Sequence, residues 1–251
     1  MLRFLTTLGL LVFLASPVYA NKVAIVIDDM GNSKSDLRAA LLPGNLSFAV
    51  LPYTPYARAF ALRAHHQKKQ VLLHMPMEAI ENSRPGPGVV TADMTSTQIK
   101  LRLVNALDSI PYVAGVNNHM GSKLTQLAVP MQAIMETLAS RQLFFIDSRT
   151  SEFSVAEQIA GEFGVKSSRR HVFLDNEVNE RYLQQQFSQL LGMARKNGQA
   201  IGIAHPYPET LNFLQQHLPQ LEKQGIELVF VSELTKFTNQ NGYLLPVTSA
   251  K

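Results

Sequence analysis

The sequence predicts an α/β fold in which a parallel sheet, closed or nearly closed into a barrel, carries helices on its outside. Short, continuous apolar runs rich in β-branched residues recur along the chain, and such runs mark strands buried on both faces. Amphipathic helical patterns alternate with them, which implies strand–helix–strand units and a parallel sheet. Seven or eight such units in a chain of 251 residues match the repetition and length of one barrel.

The first strand is expected at Val23 to Ile27 (V-A-I-V-I), followed by Leu46 to Leu51, Val71 to Met75, Val113 to Asn117, Leu143 to Asp147, Ala200 to His205 and Glu227 to Ser232, with a weaker run at His171 to Asp175. Helical patterns fall between them. They span Tyr56 to Lys68, a segment capped by Thr95 and running to about Leu107, Pro130 to Ser140, Val155 to Glu162, Glu180 to Asn197 and Pro208 to Gln224. Asn197-Gly198 and Gln224-Gly225 supply the glycine that ends a helix in a left-handed turn.

Residues 1–20 read as an export signal. Met1-Leu2-Arg3 gives a positive start, Phe4 to Ala15 is almost wholly apolar, and Ser16-Pro17-Val18-Tyr19-Ala20 offers the small residues of a cleavage site. The apolar run is too short to cross a bilayer and no second run is long enough, so no stable membrane span is expected after cleavage. This predicts a periplasmic or secreted protein with one domain over residues 21–237 and a polar tail over 238–251. The chain has no cysteine, which removes disulfides and thiolate chemistry. A net charge of +4, without a Lys/Arg run interleaved with aromatics, gives nucleic-acid binding little support. Asp28-Asp29-Met30-Gly31 after the first strand does not match G-x-G-x-x-G, which counts against a dinucleotide enzyme.

In a parallel barrel, chemistry sits where strands end and loops begin. The first strand ends in Asp28-Asp29, the third in His74 with Glu78 four residues on, the fourth in Asn117-Asn118-His119, the fifth in Asp147-Ser148-Arg149, and the strand Ala200 to His205 in His205-Pro206-Tyr207. A single Asp there is often a helix cap, and a single His is often structural. Two adjacent carboxylates repel unless a cation or a shared proton offsets their charge. His74 lies among Leu72, Leu73 and Met75, where an unpartnered imidazole is costly to bury. Asp and His together suit a divalent metal such as Zn²⁺, which in catalytic sites takes three protein ligands and keeps one place open. A metal-free reading, with Asp28 or Asp29 paired with Glu78 or Asp147 as in a glycosidase, leaves three strand-end histidines unexplained.

The segments V-A-I-V-I-D-D-M-G, L-L-H-M-P-M-E, G-V-N-N-H-M-G-S, F-F-I-D-S-R-T and I-G-I-A-H-P-Y, in that order, resemble the divergent polysaccharide deacetylase family from about Lys22 to Leu234. The resemblance implies a distorted (β/α)7-8 barrel of the glycoside hydrolase/deacetylase type that hydrolyses N- or O-acetyl groups on a polysaccharide or amino-sugar glycan with a divalent metal, Zn²⁺ first among them. By the same resemblance Asp28 is the catalytic base, Asp29 a metal ligand, His205 the proton donor to the leaving group, and Asp147 a residue that holds or tunes a catalytic neighbour. Better-known relatives take two more ligands from His-x-x-x-His, where this chain has His74-Met-Pro-Met-Glu78. The third ligand is then His119 or Glu78, and imidazole, the commoner zinc ligand, favours His119. The relatives' Arg-x-Pro-Tyr segment is replaced by Asn118-His119-Met120, leaving Asn118 and Arg149 as further metal or substrate candidates. The alternative is a catalytically degenerate member of the fold that binds a glycan or an envelope partner.

Overall fold

The computed structural model describes residues 21–81 and 84–237, so the expected signal segment 1–20 and polar tail 238–251 lie outside the described residues. The strands are β1 (Asn21–Met30), β2 (Ser47–Val50), β3 (Gln70–Met77), β4 (Val113–Met120), β5 (Phe144–Asp147), β6 (Ser167–Arg169), β7 (Val172–Phe173), β8 (Gln199–Ala204) and β9 (Ile226–Leu228). The helices are α1 (Ala57–His66), α2 (Ser96–Ser109), α3 (Ala128–Ser140), α4 (Ala156–Glu162), α5 (Glu180–Asn197) and α6 (Pro208–His217).

Every strand pairing is parallel, and the sheet runs β6-β5-β4-β3-β2-β1-β8-β7. β9 joins β1 beside its first three residues, below the point where β2 takes over the same edge. No pairing joins β6 to β7 among the described residues, so the sheet is a curled barrel open at one seam. The expected barrel fold is present in this distorted form.

The pleat sends alternate side chains to opposite faces. Val23, Ile25, Ile27, Phe48, Val50, Val71, Leu73 and Phe145 pack outward against the helices. Ala24, Val26, Ala49, Leu72, Phe144, Ile146, Ile201 and Ile203 fill the interior. Val229, Val231 and Leu234 close the bottom of that interior. The Val231 amide donates to Ser47 Oγ at 3.1 Å, and Gln70 bonds both Ser47 Oγ and Ser232 Oγ, at 3.0 and 2.7 Å.

Two expectations change, and two elements are new. The run Glu227 to Ser232 is not one strand: β9 stops at Leu228, and a 3-10 helix over Val231–Leu234 turns inward as the plug. The helix expected to reach Gln224 ends at His217 because Pro219 has no amide to continue the ladder, and two 3-10 turns replace it. A 3-10 helix at Lys34–Leu41 and the short polar strand β6 carry no apolar run that would announce them. Gly198 and Gly225 do close their elements in left-handed turns, at φ 80° and 71°.

The inner packing tolerates little added volume. A Cβ on Gly115 of β4 would lie 2.4 Å from the ring of Phe144 on β5. Gly115→Ala is expected to destabilise the fold by about 1–3 kcal/mol, the usual cost of overpacking, read as a fall in the denaturation midpoint at unchanged slope.

Candidate active site

The inward parity that carries Ala24 and Val26 into the interior reaches Asp28 at the top of β1, and Leu72 leads in the same way to His74 on β3. Asn117 and His119 share a face of β4, opposite the outward Val116, and β3–β4 register sets His74 beside Asn117. On β8, Ile201 and Ile203 lead to His205, and the pairing of Ile27 with Ala204 leaves His205 level with Asp28.

Asp29 should point away from Asp28 in a regular strand. The β1–β2 register shifts between Ile27 and Met30, and Asp29 adopts φ 59°, a left-handed conformation that Asp tolerates better than most residues. A bulge of this kind re-aims a side chain, and it brings both carboxylates to one site. Asp29 Oδ1 lies 3.2 Å from His74 Nε2 and 3.0 Å from His119 Nδ1, and those two nitrogens are 3.1 Å apart. Asp29 Oδ1 is buried without a well-formed hydrogen bond, although both imidazoles are close.

This trio fits a metal. Three donor atoms bound at about 2.0–2.1 Å with tetrahedral angles stand about 3.3 Å apart, close to the spacing found. The donor set of one carboxylate and two imidazoles is one that catalytic zinc uses, and these are the residues able to hold an ion among those described.

Asn117, which the sequence reading passed over in favour of its neighbours, ties the site together. Its Nδ2 donates to Asp28 Oδ1 at 2.8 Å, so its Oδ1 is free to accept from His74 Nδ1, also at 2.8 Å. That places the His74 proton on Nδ1 and leaves the Nε2 lone pair for a metal, as an outer partner of a ligating His does. Asp28 is buried, 3.7 Å from His74 Nε2. Burial pushes its carboxyl up, against the opposing charges of His74 and His205. Burial would also raise Asp29, but the contacts with His119 and His74 outweigh it and hold that carboxyl well below the usual range.

His205 has a partner that the sequence reading did not assign. Asp175, just past β7, accepts from the His205 amide at 2.6 Å and from its Nδ1 at 2.8 Å, and Thr210 donates to the same carboxylate at 3.0 Å. Burial works to lower the His205 pKa, yet the hydrogen bond and charge of Asp175 prevail and push it up to about 9. The signal was present as the aspartate ending H-V-F-L-D, the weakest expected strand.

The remaining candidates serve as braces. Glu78 stands outside the Asp29–His74–His119 trio: its Oε2 accepts from the Ala92 amide and its Oε1 from Lys123 Nζ, both at 2.6 Å, which ties the loop after β3 to the loop after β4. Asn118 bonds the Met120 carbonyl and the Ser148 amide, at 2.7 and 2.8 Å. Asp147 accepts from the Arg149 amide at 2.8 Å and does not hold His205. Its carboxyl is pushed up by burial, with Ser154 and Arg149 opposing. The Arg149 guanidinium is occupied by the carbonyls of Ser154 and Glu152. Arg170, unremarked in the sequence, donates to the Ser148 and Arg149 carbonyls at 2.7 and 2.8 Å and lies over the Phe173 ring, fixing this loop beside the open seam.

Two outcomes follow from these pairings. Asn117→Leu, which frees the His74 ring, is expected to weaken zinc binding about 10–100-fold, measured by chelator competition. The ion pair between His205 and Asp175 raises the folded-state pKa of His205 above 6.5, so its stabilisation is complete below pH 6.5 and lost as pH rises through about 9. The stability gap between the protein and Asp175→Asn should therefore narrow across that window in denaturant titrations.

The sequence profile of the divergent polysaccharide deacetylases matches residues 25–235. The chain is 39% identical over 225 residues to the uncharacterized protein YibQ of Escherichia coli K12, covering 89% of this chain and 70% of that one. The crystal structure of an uncharacterized protein from Agrobacterium tumefaciens C58 superposes at a TM-score of 0.83 and 26% identity, covering 87% of this chain and 91% of that one. The catalytic domain of a peptidoglycan N-acetylglucosamine deacetylase from Eubacterium rectale shares the fold at a TM-score of 0.51 and 11% identity, over 84% of this chain and 88% of that one. No helix among the described residues is long and apolar enough to cross a membrane. With a profile match over most of its length and a relative this similar, the chain belongs to the divergent polysaccharide deacetylase family.

Proposed function

We propose that this protein is an exported, metal-dependent hydrolase that removes acetyl groups from an envelope polysaccharide. The observation that carries the reading is the convergence of Asp29, His74 and His119 within 3.0–3.2 Å of one another, with the buried carboxylate of Asp28 beside them. Asp29, His74 and His119 would hold the ion, Zn²⁺ suiting this donor set, and a bound ion supplies Lewis acidity and lowers the pKa of water. Asp28 is the general base: it takes a proton from the attacking water while the Asn117 amide keeps its Oδ1 in place. His205, protonated at neutral pH and held through Nδ1 by Asp175, donates from Nε2 to the departing amine or alkoxide. The profile match, together with the signal-like sequence of residues 1–20, supports an envelope glycan as the substrate class.

The test is acetate release from N- and O-acetylated glycans by the zinc-loaded protein. Asp28→Asn is expected to lower kcat about 10²–10⁴-fold, the usual worth of a general base. Activity should fall at acid pH through the Asp28 carboxyl, whose pKa lies above 3.8, and fall again at alkaline pH through His205 near 9. Asp175→Asn should move the alkaline limb down. Acetate release that survives Asp28→Asn unchanged would overturn the assignment of the base. A protein that takes up zinc and glycan yet frees no acetate would be the catalytically degenerate member of the fold.

A further inference from the structure

Tyr53 and Leu101 are large apolar residues that the fold leaves bare, at 47% and 60% exposure. They share an open cleft of about 330 Å³ with Gly88, Gln98, Arg102 and Asn105. Four of these residues form one stripe on α2, since positions 98, 101, 102 and 105 follow the i, i+3, i+4, i+7 spacing of a helix face. The opposite wall is the Tyr53 ring, reached by the chain three residues past β2.

This wall is built to a fixed shape. Tyr53 stands at φ 62°, a backbone conformation that disfavours a bulky side chain. A Cβ on Gly88 would lie 2.7 Å from the Tyr53 ring, so only glycine lets the loop back the ring this closely. Arg102 Nη1 donates to the Val89 carbonyl at 2.9 Å. The neighbouring Val90 exchanges backbone hydrogen bonds with Pro76 and Glu78, at 2.9 Å each, so the loop is tied to β3 just beyond His74. β2 lies between β1 and β3, the strands that carry Asp29 and His74. The cleft and the metal centre therefore open on the same end of the barrel.

An aromatic ring, a bare leucine, two side-chain amides and a guanidinium, with no carboxylate among them, suit a ligand that is apolar on its faces and hydroxylated at its rim. A pyranose ring has that character. We propose that this cleft is a second glycan subsite. It binds a sugar of the same polysaccharide one or more units away from the acetylated sugar at the metal centre, by stacking on Tyr53 and hydrogen bonding to Arg102, Gln98 and Asn105. The proposal rests on the deacetylase reading for the choice of polymer and makes the enzyme selective for long chains.

The probes are the dimer and hexamer of β-1,4-linked N-acetylglucosamine, titrated calorimetrically into the zinc-loaded full chain. The hexamer should bind more tightly than the dimer. Tyr53→Ala and Arg102→Gln should each reduce the hexamer-to-dimer affinity ratio about five- to tenfold, the scale of one aromatic or charge-assisted contact. Asn105→Ala, on the exposed helix face, gives a smaller loss in the same direction and guards against misfolding of the Tyr53 variant, which circular dichroism also checks. Equal ratios in the wild type and all three variants, or no saturable hexamer binding, overturn the subsite. Acetate release from the hexamer with unaltered ratios leaves the deacetylase reading standing without the subsite. Ratios that fall as expected in a protein that frees no acetate keep the subsite and remove the hydrolysis.

Discussion

Two adjacent carboxylates at the end of one buried strand need a break in the pleat to serve one site, and the bulge at Asp28-Asp29 supplies it. With regular pleating, Asp28 would reach the interior and Asp29 would be turned toward the helices. The register shift before Met30 and the left-handed backbone of Asp29 bring the second carboxylate round to His74 and His119. Concentrating negative charge in this way is tolerable only because two imidazoles, and an ion when one is bound, stand opposite it. His74 and His205 arrive by alternation along β3 and β8, while Asn117 and His119 follow a second register shift, at Ala114 in β4, so the arrangement depends on irregularities in both β1 and β4.

The two carboxylates are pushed to opposite protonation preferences by what surrounds them. Asp28 is deeply buried, which favours holding a proton against the one amide hydrogen bond it receives from Asn117. Asp29 meets two imidazoles and stays ionised, as a ligand must. Asn117 couples two tasks, since its amide can satisfy Asp28 and fix the His74 tautomer only in a single orientation. A residue with one donor or one acceptor would serve only one of them.

The strands that build the barrel were legible because a buried parallel strand has to be apolar along its whole length. The polar residues that end those runs named Asp28, Asp29, His74, His119 and His205 as a group. The partners of these residues were not legible, because Asn117 meets His74 through strand register across 43 positions and Asp175 meets His205 across 30. No local pattern encodes such pairings. Glu78 shows the opposite case: its spacing from His74 fits a ligand pair and left it as the alternative to His119, but the chain after β3 folds back and engages both its oxygens with Ala92 and Lys123. Pro219 was the overlooked stop in the last helix, and β6, at Ser-Ser-Arg, was too short and polar to announce an edge strand.

The order of these residues along the chain separates two capacities. Asp29, His74, His119, Asp28 and the Asn117 amide that steadies them all lie between Asn21 and Met120, on strands joined through β2. Asp175 and His205 belong to the last third of the described chain, just past β7 and just past β8. A chain that emerges N-terminus first can therefore gather Asp28, Asp29, His74 and His119 before the His205–Asp175 pair exists, and that pair reaches them only when β8 docks against β1.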